Sequence, residues 1–159
     1  MTVEPFFIWL EASPLGVFMK DKPATFASVE AVHLLALALL GGAVLATDLR
    51  LLGVTMRDVS IATVAEGTYK WFKYALIVLL VTGFMMLAGV ATKCYGNPYY
   101  WTKMIALAIG IVFAVAIKQP LLRREPEKLS AWTLRLVGVA SFSLSFLVAA
   151  SGRWIGFSG

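Results

Sequence analysis

Four long apolar runs, broken by short polar stretches, organise the chain. They extend from about Ser28 to Leu52, from Trp71 to about Ala91, from Tyr100 to Ile117 and from Trp132 to about Arg153. Runs of roughly 20 predominantly apolar residues predict transmembrane helices, because a bilayer leaves the backbone no other way to satisfy its hydrogen bonds. Breaker chemistry marks the connections: Asn97-Pro98 between the second and third runs, Gln119-Pro120 and Glu125-Pro126 between the third and fourth. Trp71, Trp101, Trp132 and Trp154 fall at predicted span ends, where tryptophan anchors helices in the headgroup layer. From Trp132 to Trp154 is about 33 Å at a helical rise of about 1.5 Å per residue, enough to cross.

Ahead of these lies an aromatic segment, Glu4 to Lys20, too short to span. Pro5 suits a first helical turn, and Ser13-Pro14 reads as an N-cap followed by proline at the first helical position. The segment reads either as a helix or pair of turns lying in the membrane interface or as a plug over the bundle. The expected fold is an all-α membrane protein: one domain over residues 1–159, a four-helix transmembrane bundle with an N-terminal interfacial aromatic segment at 4–20.

Composition sharpens this picture. Of 159 residues, 60% are hydrophobic and 14% charged, and the mean hydropathy is +0.82. A soluble domain carries about 25% charged residues, so the chain is too apolar for water. A single cysteine, Cys94, excludes an intramolecular disulfide. The N-terminus lacks the basic region of a cleavable signal. The net charge of +5 does not mark a nucleic-acid binder, because the basic residues sit at the ends of apolar runs.

Those basic residues set the orientation. Arg50, Arg57, Lys70, Lys73, Lys118, Arg123, Arg124, Lys128 and Arg135 fall on one side; Lys20, Lys22, Lys93, Lys103 and Arg153 fall on the other. The positive-inside rule puts the nine in the cytoplasm and both termini outside. Asp48 and Arg50 are then expected to form an ion pair at the inner interface.

The candidate chemistry centres on His33, the only histidine, inside the first span. An ionisable residue within a membrane helix is a functional candidate by default. On a helical wheel Glu30, Leu37, Leu40, Gly41 and Val44 fall on roughly the side of His33, whereas Ala38, Gly42 and Ala46 form a small-residue stripe on the other. Met85, Met86 and Met104 come to a similar depth from the second and third spans, with Lys103 and Arg153 just above. Three roles are open to His33. It could ligate a b-type haem, with Gly41 making room, Lys103 or Arg153 pairing with propionates, and Met85, Met86, Met104 or another protomer's His33 opposite. It could join the methionines, with or without Cys94, around Cu(I). Or it could be structural, paired with Glu30, Lys103 or Arg153. A proton relay through span one is not visible, since about ten apolar residues separate His33 from Thr47. No phosphate-binding glycine loop, second histidine or cysteine pair points to catalysis, so an enzyme is not expected.

Three stretches carry a resemblance: FFIWLEASPLG at 6–16, VEAVHLLALALLGGAVLATDLRLLG at 29–53 and SGRWIGF at 151–157, joined by NPYYWTKM at 97–104. With them the chain resembles an uncharacterised family of short bacterial four-span integral membrane proteins, which implies a bacterial cytoplasmic membrane but no function. More distantly the plan is similar to four-helix b-type cytochromes and copper-resistance membrane proteins. The expectation is a small haem b-binding, electron-transfer subunit with His33 as axial ligand, working as a homo-oligomer or in a larger membrane complex with a quinone or redox partner. A haem-free accessory or scaffold subunit is the second reading, and a copper-handling protein the third.

Overall fold

A computed structural model describes residues 3–123 and 126–157; Arg124 and Glu125, placed above by charge and turn chemistry, lie outside the described residues. The fold is an all-α four-helix bundle. Helices α1 (Glu4–Ala12) and α2 (Pro14–Asp21) precede α3 (Pro23–Leu51) and α4 (Ile61–Gly89). The short α5 (Ala91–Tyr95) leads into α6 (Pro98–Val112), which runs through a π turn (Phe113–Lys118) into α7 (Gln119–Arg123). A 3₁₀ turn (Pro126–Lys128) precedes α8 (Ala131–Ile155). Four stretches, Pro23–Leu51, Ile61–Gly89, Pro98–Arg123 and Ala131–Ile155, are long and apolar enough to cross a membrane.

Local chemistry sets the helix starts. Ser13, Ser60, Asn97 and Ser130 each cap a helix by accepting a backbone N–H two or three residues on. The helices outrun the apolar runs that announce them. α3 starts at Pro23, five residues before Ser28, with proline in its first turn, and α4 at Ile61, ten before Trp71, because the Ser60 cap starts the helix ahead of the polar stretch 66–70 that hydropathy alone reads as loop. Gln119-Pro120 does not separate two spans. Pro120 cannot donate to the carbonyl one turn back, and the helix responds by widening rather than stopping: the Gln119 N–H bonds Ala114 O across the π turn.

α3 packs along α4 and also against α8, α8 packs against α6, and α4 meets the third span through α7. At the end that carries the termini, α1 and α2 dock on α4 and α5. Phe7 and Leu10 join Ala88, Ala91, Cys94 and Tyr100 in one buried cluster, while Met19 packs against Gly89. The opposite faces leave Phe6, Ile8, Trp9, Val17 and Phe18 exposed. The aromatic segment is therefore both a plug on the bundle and an apolar surface suited to the membrane interface.

One carboxylate fastens this plug. Glu11 pairs with Lys20 at 2.8 Å and accepts both the Thr92 backbone N–H and the Thr92 hydroxyl at the start of α5. The Lys20 hydrogen bond, then the Thr92 donors, hold the Glu11 carboxyl at about 2, below its ordinary value of 4.5. A lowered folded value means that docking gains from the ionised form above about 4.5 and loses that gain as pH falls toward 2. Acidification through this window is expected to loosen α1 and α2 and change the Trp9 fluorescence; Glu11→Gln should remove that pH response.

Candidate functional site

Two polar centres lie along α3, one near each end. At the terminus end, His33 Nδ1 is 2.8 Å from the Thr82 Oγ1 of α4. The Thr82 hydroxyl donates back to Val78 O at 2.6 Å, as threonines in membrane helices do. With that proton on Val78 O, Thr82 accepts from His33 in the tautomer that carries its hydrogen on Nδ1, and in the neutral form of that tautomer Nε2 keeps its lone pair. Gly83 leaves room for the ring: a Cβ there would stand 3.3 Å from His33 Cε1.

A second rung follows along the same seam. Thr47 of α3 and Thr68 of α4 meet hydroxyl to hydroxyl at 2.9 Å, one donating across the seam and the other to a carbonyl of its own helix. Thr47 is fourteen residues from His33, and Thr68 fourteen from Thr82. Fourteen residues are four turns of about 3.5, the repeat that keeps one helix face turned to a partner in a left-handed pair. Two antiparallel helices with polar groups at equal spacing register both rungs at once.

Around His33 the expected neighbours divide. Lys103 of α6 is half-buried, close enough for its charge to bear on the imidazole, and its stem runs past Gly152 of α8, where a Cβ would meet Nζ at 3.4 Å. Among the described residues it has no hydrogen bond or ion pair. Met85 and Met86 are half-buried on α4, with Met86 one turn beyond Thr82 on the same face. The remaining candidates sit outside this pair. Glu30 is exposed and does not pair with His33, whose partner is Thr82. Gly41 faces open space, because the interface with α4 follows His33, Ala36, Ala43 and Thr47 and leaves Gly41 outside that line. Met104 is exposed on α6. Arg153 sits at the exposed end of α8 with its guanidinium over the Phe157 ring, 4.6 Å from the centroid. Cys94 belongs to the Phe7 and Tyr100 cluster under the N-terminal plug. Two recesses, of about 470 Å³ between Lys20, Phe26 and Lys93 and of about 350 Å³ between Tyr69 and Arg123, open on the surface, and His33 lines neither. No cluster of three His, Cys, Asp or Glu side chains that could hold a metal occurs among the described residues.

The second centre was not expected. Asp48, fully buried, pairs with Lys118 at 2.5 Å, and Lys118 Nζ also donates to the Ser141 hydroxyl of α8 at 2.9 Å. Lys118, counted above among the cytoplasmic loop cations, is 5% exposed. Arg50 is not the partner of Asp48; it turns outward and donates to the Val59 and Arg57 carbonyls, tying down the loop after α3. Two backbone features assemble the triad. The π turn ends on Lys118 and aims it into the bundle, where a plain α-helical turn would rotate it elsewhere. On α8, Gly138 lets the helix approach α3 so closely that a Cβ would stand 3.3 Å from Asp48 O, which carries Ser141 one turn on up to Lys118. Asp48 Oδ2 has no hydrogen-bond partner among the described residues.

The chain belongs to a family of unknown function (DUF6644), whose profile matches residues 6–158. No curated protein and no solved structure matches the chain.

Proposed function

We propose that the protein is a small multi-pass subunit of a bacterial cytoplasmic membrane, with both termini outside, that holds haem b through His33 and passes electrons to or from a partner. The observation that carries this reading is the state of the imidazole. The Thr82 hydroxyl engages Nδ1 and leaves Nε2 without a hydrogen-bond partner on the threonine, the arrangement by which ligating histidines are oriented through their second nitrogen. Lys103 adds a cation near the ring, with no ion pair among the described residues and suited to a carboxylate group. Bound haem would supply one-electron chemistry; the chain's own part is to orient His33 and exclude water from it. His33 lines neither of the two surface recesses described above, so on this reading a second copy or a larger complex helps to enclose the macrocycle.

A haem-free scaffold is the second reading, favoured by the rung geometry: His33 occupies the position on α3 that Thr47 occupies fourteen residues later, and both bond a threonine of α4. The two readings part on one measurement. Protein purified in detergent from cells well supplied with haem should show a Soret and an α band in the reduced-minus-oxidised spectrum. His33→Ala should abolish them, and Thr82→Val should weaken haem retention while leaving His33 in place. A preparation without these bands, in which His33→Ala only lowers thermal stability, would establish the scaffold reading instead.

A further inference from the structure

We propose that Asp48, Lys118 and Ser141 form a proton-binding site inside the bundle, at which protonation of Asp48 releases Lys118 toward the α7 end. The inference uses none of the groups around His33 and stands apart from the reading given to them.

A carboxylate and an ammonium removed from water are held only as long as they satisfy each other. Here the satisfaction is one-sided. Lys118 has two acceptors, Asp48 Oδ1 and the Ser141 hydroxyl, while Asp48 Oδ2 has none. An anionic oxygen with unused acceptor capacity in an apolar interior is the group that gains most by losing its charge. Among the described residues nothing else charged is buried beside the pair. On α3 Arg50 is turned to the following loop, on α4 the nearest ionisable groups, Glu66 and Lys70, are exposed, on α8 Arg135 is exposed, and on α7 Arg123 lies over the Tyr69 ring. Among the described residues, Asp48 and Lys118 are thus each other's only buried charged partner.

The proton enters through Lys118. Its ammonium passes one proton to the Asp48 carboxylate, forming an O–H bond as an N–H bond breaks, and the amine regains a proton from water once it reaches the bundle end. The net change is one proton taken from solvent and one neutral carboxyl formed. The neutral amine no longer has an anion to hold it, and once reprotonated at the interface the lysine cation does not return to an apolar core that offers it no partner. Lys118 is well placed to do so, five residues before the exposed Arg123, or about 7.5 Å along the helix. The π turn supplies the freedom: one residue of excess winding, built in at Pro120, lets the segment from Phe113 to Lys118 return to α-helical winding and rotate Lys118 away from Asp48.

The test labels lysines of the intact protein in detergent with a water-soluble amine reagent and reads each site by peptide mass spectrometry, the exposed Lys70 serving as internal reference. In the wild type, Lys118 labelling relative to Lys70 is expected to be low at neutral pH and to rise several-fold as pH falls through the carboxylate range. Asp48→Asn, which mimics the neutral carboxyl, should show the raised ratio at every pH. Infrared spectra of aspartate-labelled protein should show a protonated-carboxyl band that titrates with the labelling and is missing in Asp48→Asn. A ratio in the wild type that stays flat across the pH range overturns the proposal without recourse to any variant, and so does a band that persists unchanged in Asp48→Asn.

Discussion

Lys118→Met is expected to lower the stability of the bundle by about 3–5 kcal/mol at neutral pH, the loss typical when one partner of a buried ion pair is deleted and the other is left charged. The reason is positional. Asp48 is fully buried, its Oδ1 has Lys118 as partner and its Oδ2 has no partner, so removal of the ammonium strands a carboxylate between α3 and α8. The thermal midpoint of the detergent-solubilised protein should fall sharply, and less so at acid pH, where Asp48 can shed its charge. The double change Lys118→Met with Asp48→Leu should recover most of the loss, since apolar replacement of a whole buried pair is often neutral. A single variant as stable as the wild type at neutral pH would mean that Asp48 is uncharged there. Arg50→Met, by contrast, should cost little, because Arg50 binds only exposed loop carbonyls.

This contrast also marks where the sequence was legible. Span number, the Asn97-Pro98 break between spans and the Ser13 cap follow from local chemistry, which acts over three or four residues and needs no tertiary partner. The partner of Asp48 does not. Arg50 is two residues away and on the charged side of the span, whereas Lys118 is 70 residues on and follows an apolar run, where a lysine reads as a loop cation. What turns it inward is the π turn. Gln119-Pro120 signalled a break in the ladder, but whether a helix stops at such a break or widens depends on the helices packed beside it. Thr82 was missed for a different reason, since a threonine in an apolar run carries no weight alone. Its signal is relational: His33 and Thr47 on one span, and Thr68 and Thr82 on the next, repeat one separation in opposite chain directions. Equal spacing of polar residues on consecutive antiparallel spans can be read without a structure. The wheel of α3 placed Gly41 with His33 because it assumed one broad face, while the face in use is a narrow seam that Gly41 lies beside.

The second large effect is expected at Gly16, where α2 crosses the end of α4. A Cβ on Gly16 would stand 2.7 Å from Leu10 O and 2.8 Å from Ala88 O, and would also run into Glu11 O. All three obstacles are backbone carbonyls of helices α1 and α4, so no side-chain rotation relieves the clash; α2 has to move. Overpacking a tight contact costs about 1–3 kcal/mol where neighbours can adjust, and here they cannot without breaking helical hydrogen bonds. Moving α2 uncovers Met19 and loosens Phe7 and Leu10, each of which is worth about 1.5–3 kcal/mol when buried. It also pulls Lys20 from Glu11, and Glu11 from Thr92. Gly16→Val is therefore expected to undock α1 and α2 as a unit while the four spans stay folded, since the α3–α4 rungs and the Asp48–Lys118 pair lie away from the crossing. Limited proteolysis should then cut the first twenty or so residues of Gly16→Val from an otherwise intact core, and Cys94, released from beneath Phe7, should react with a thiol reagent much faster than in the wild type. Equal cleavage and equal Cys94 reactivity in the two proteins would show that the crossing is not the closure it is built to be.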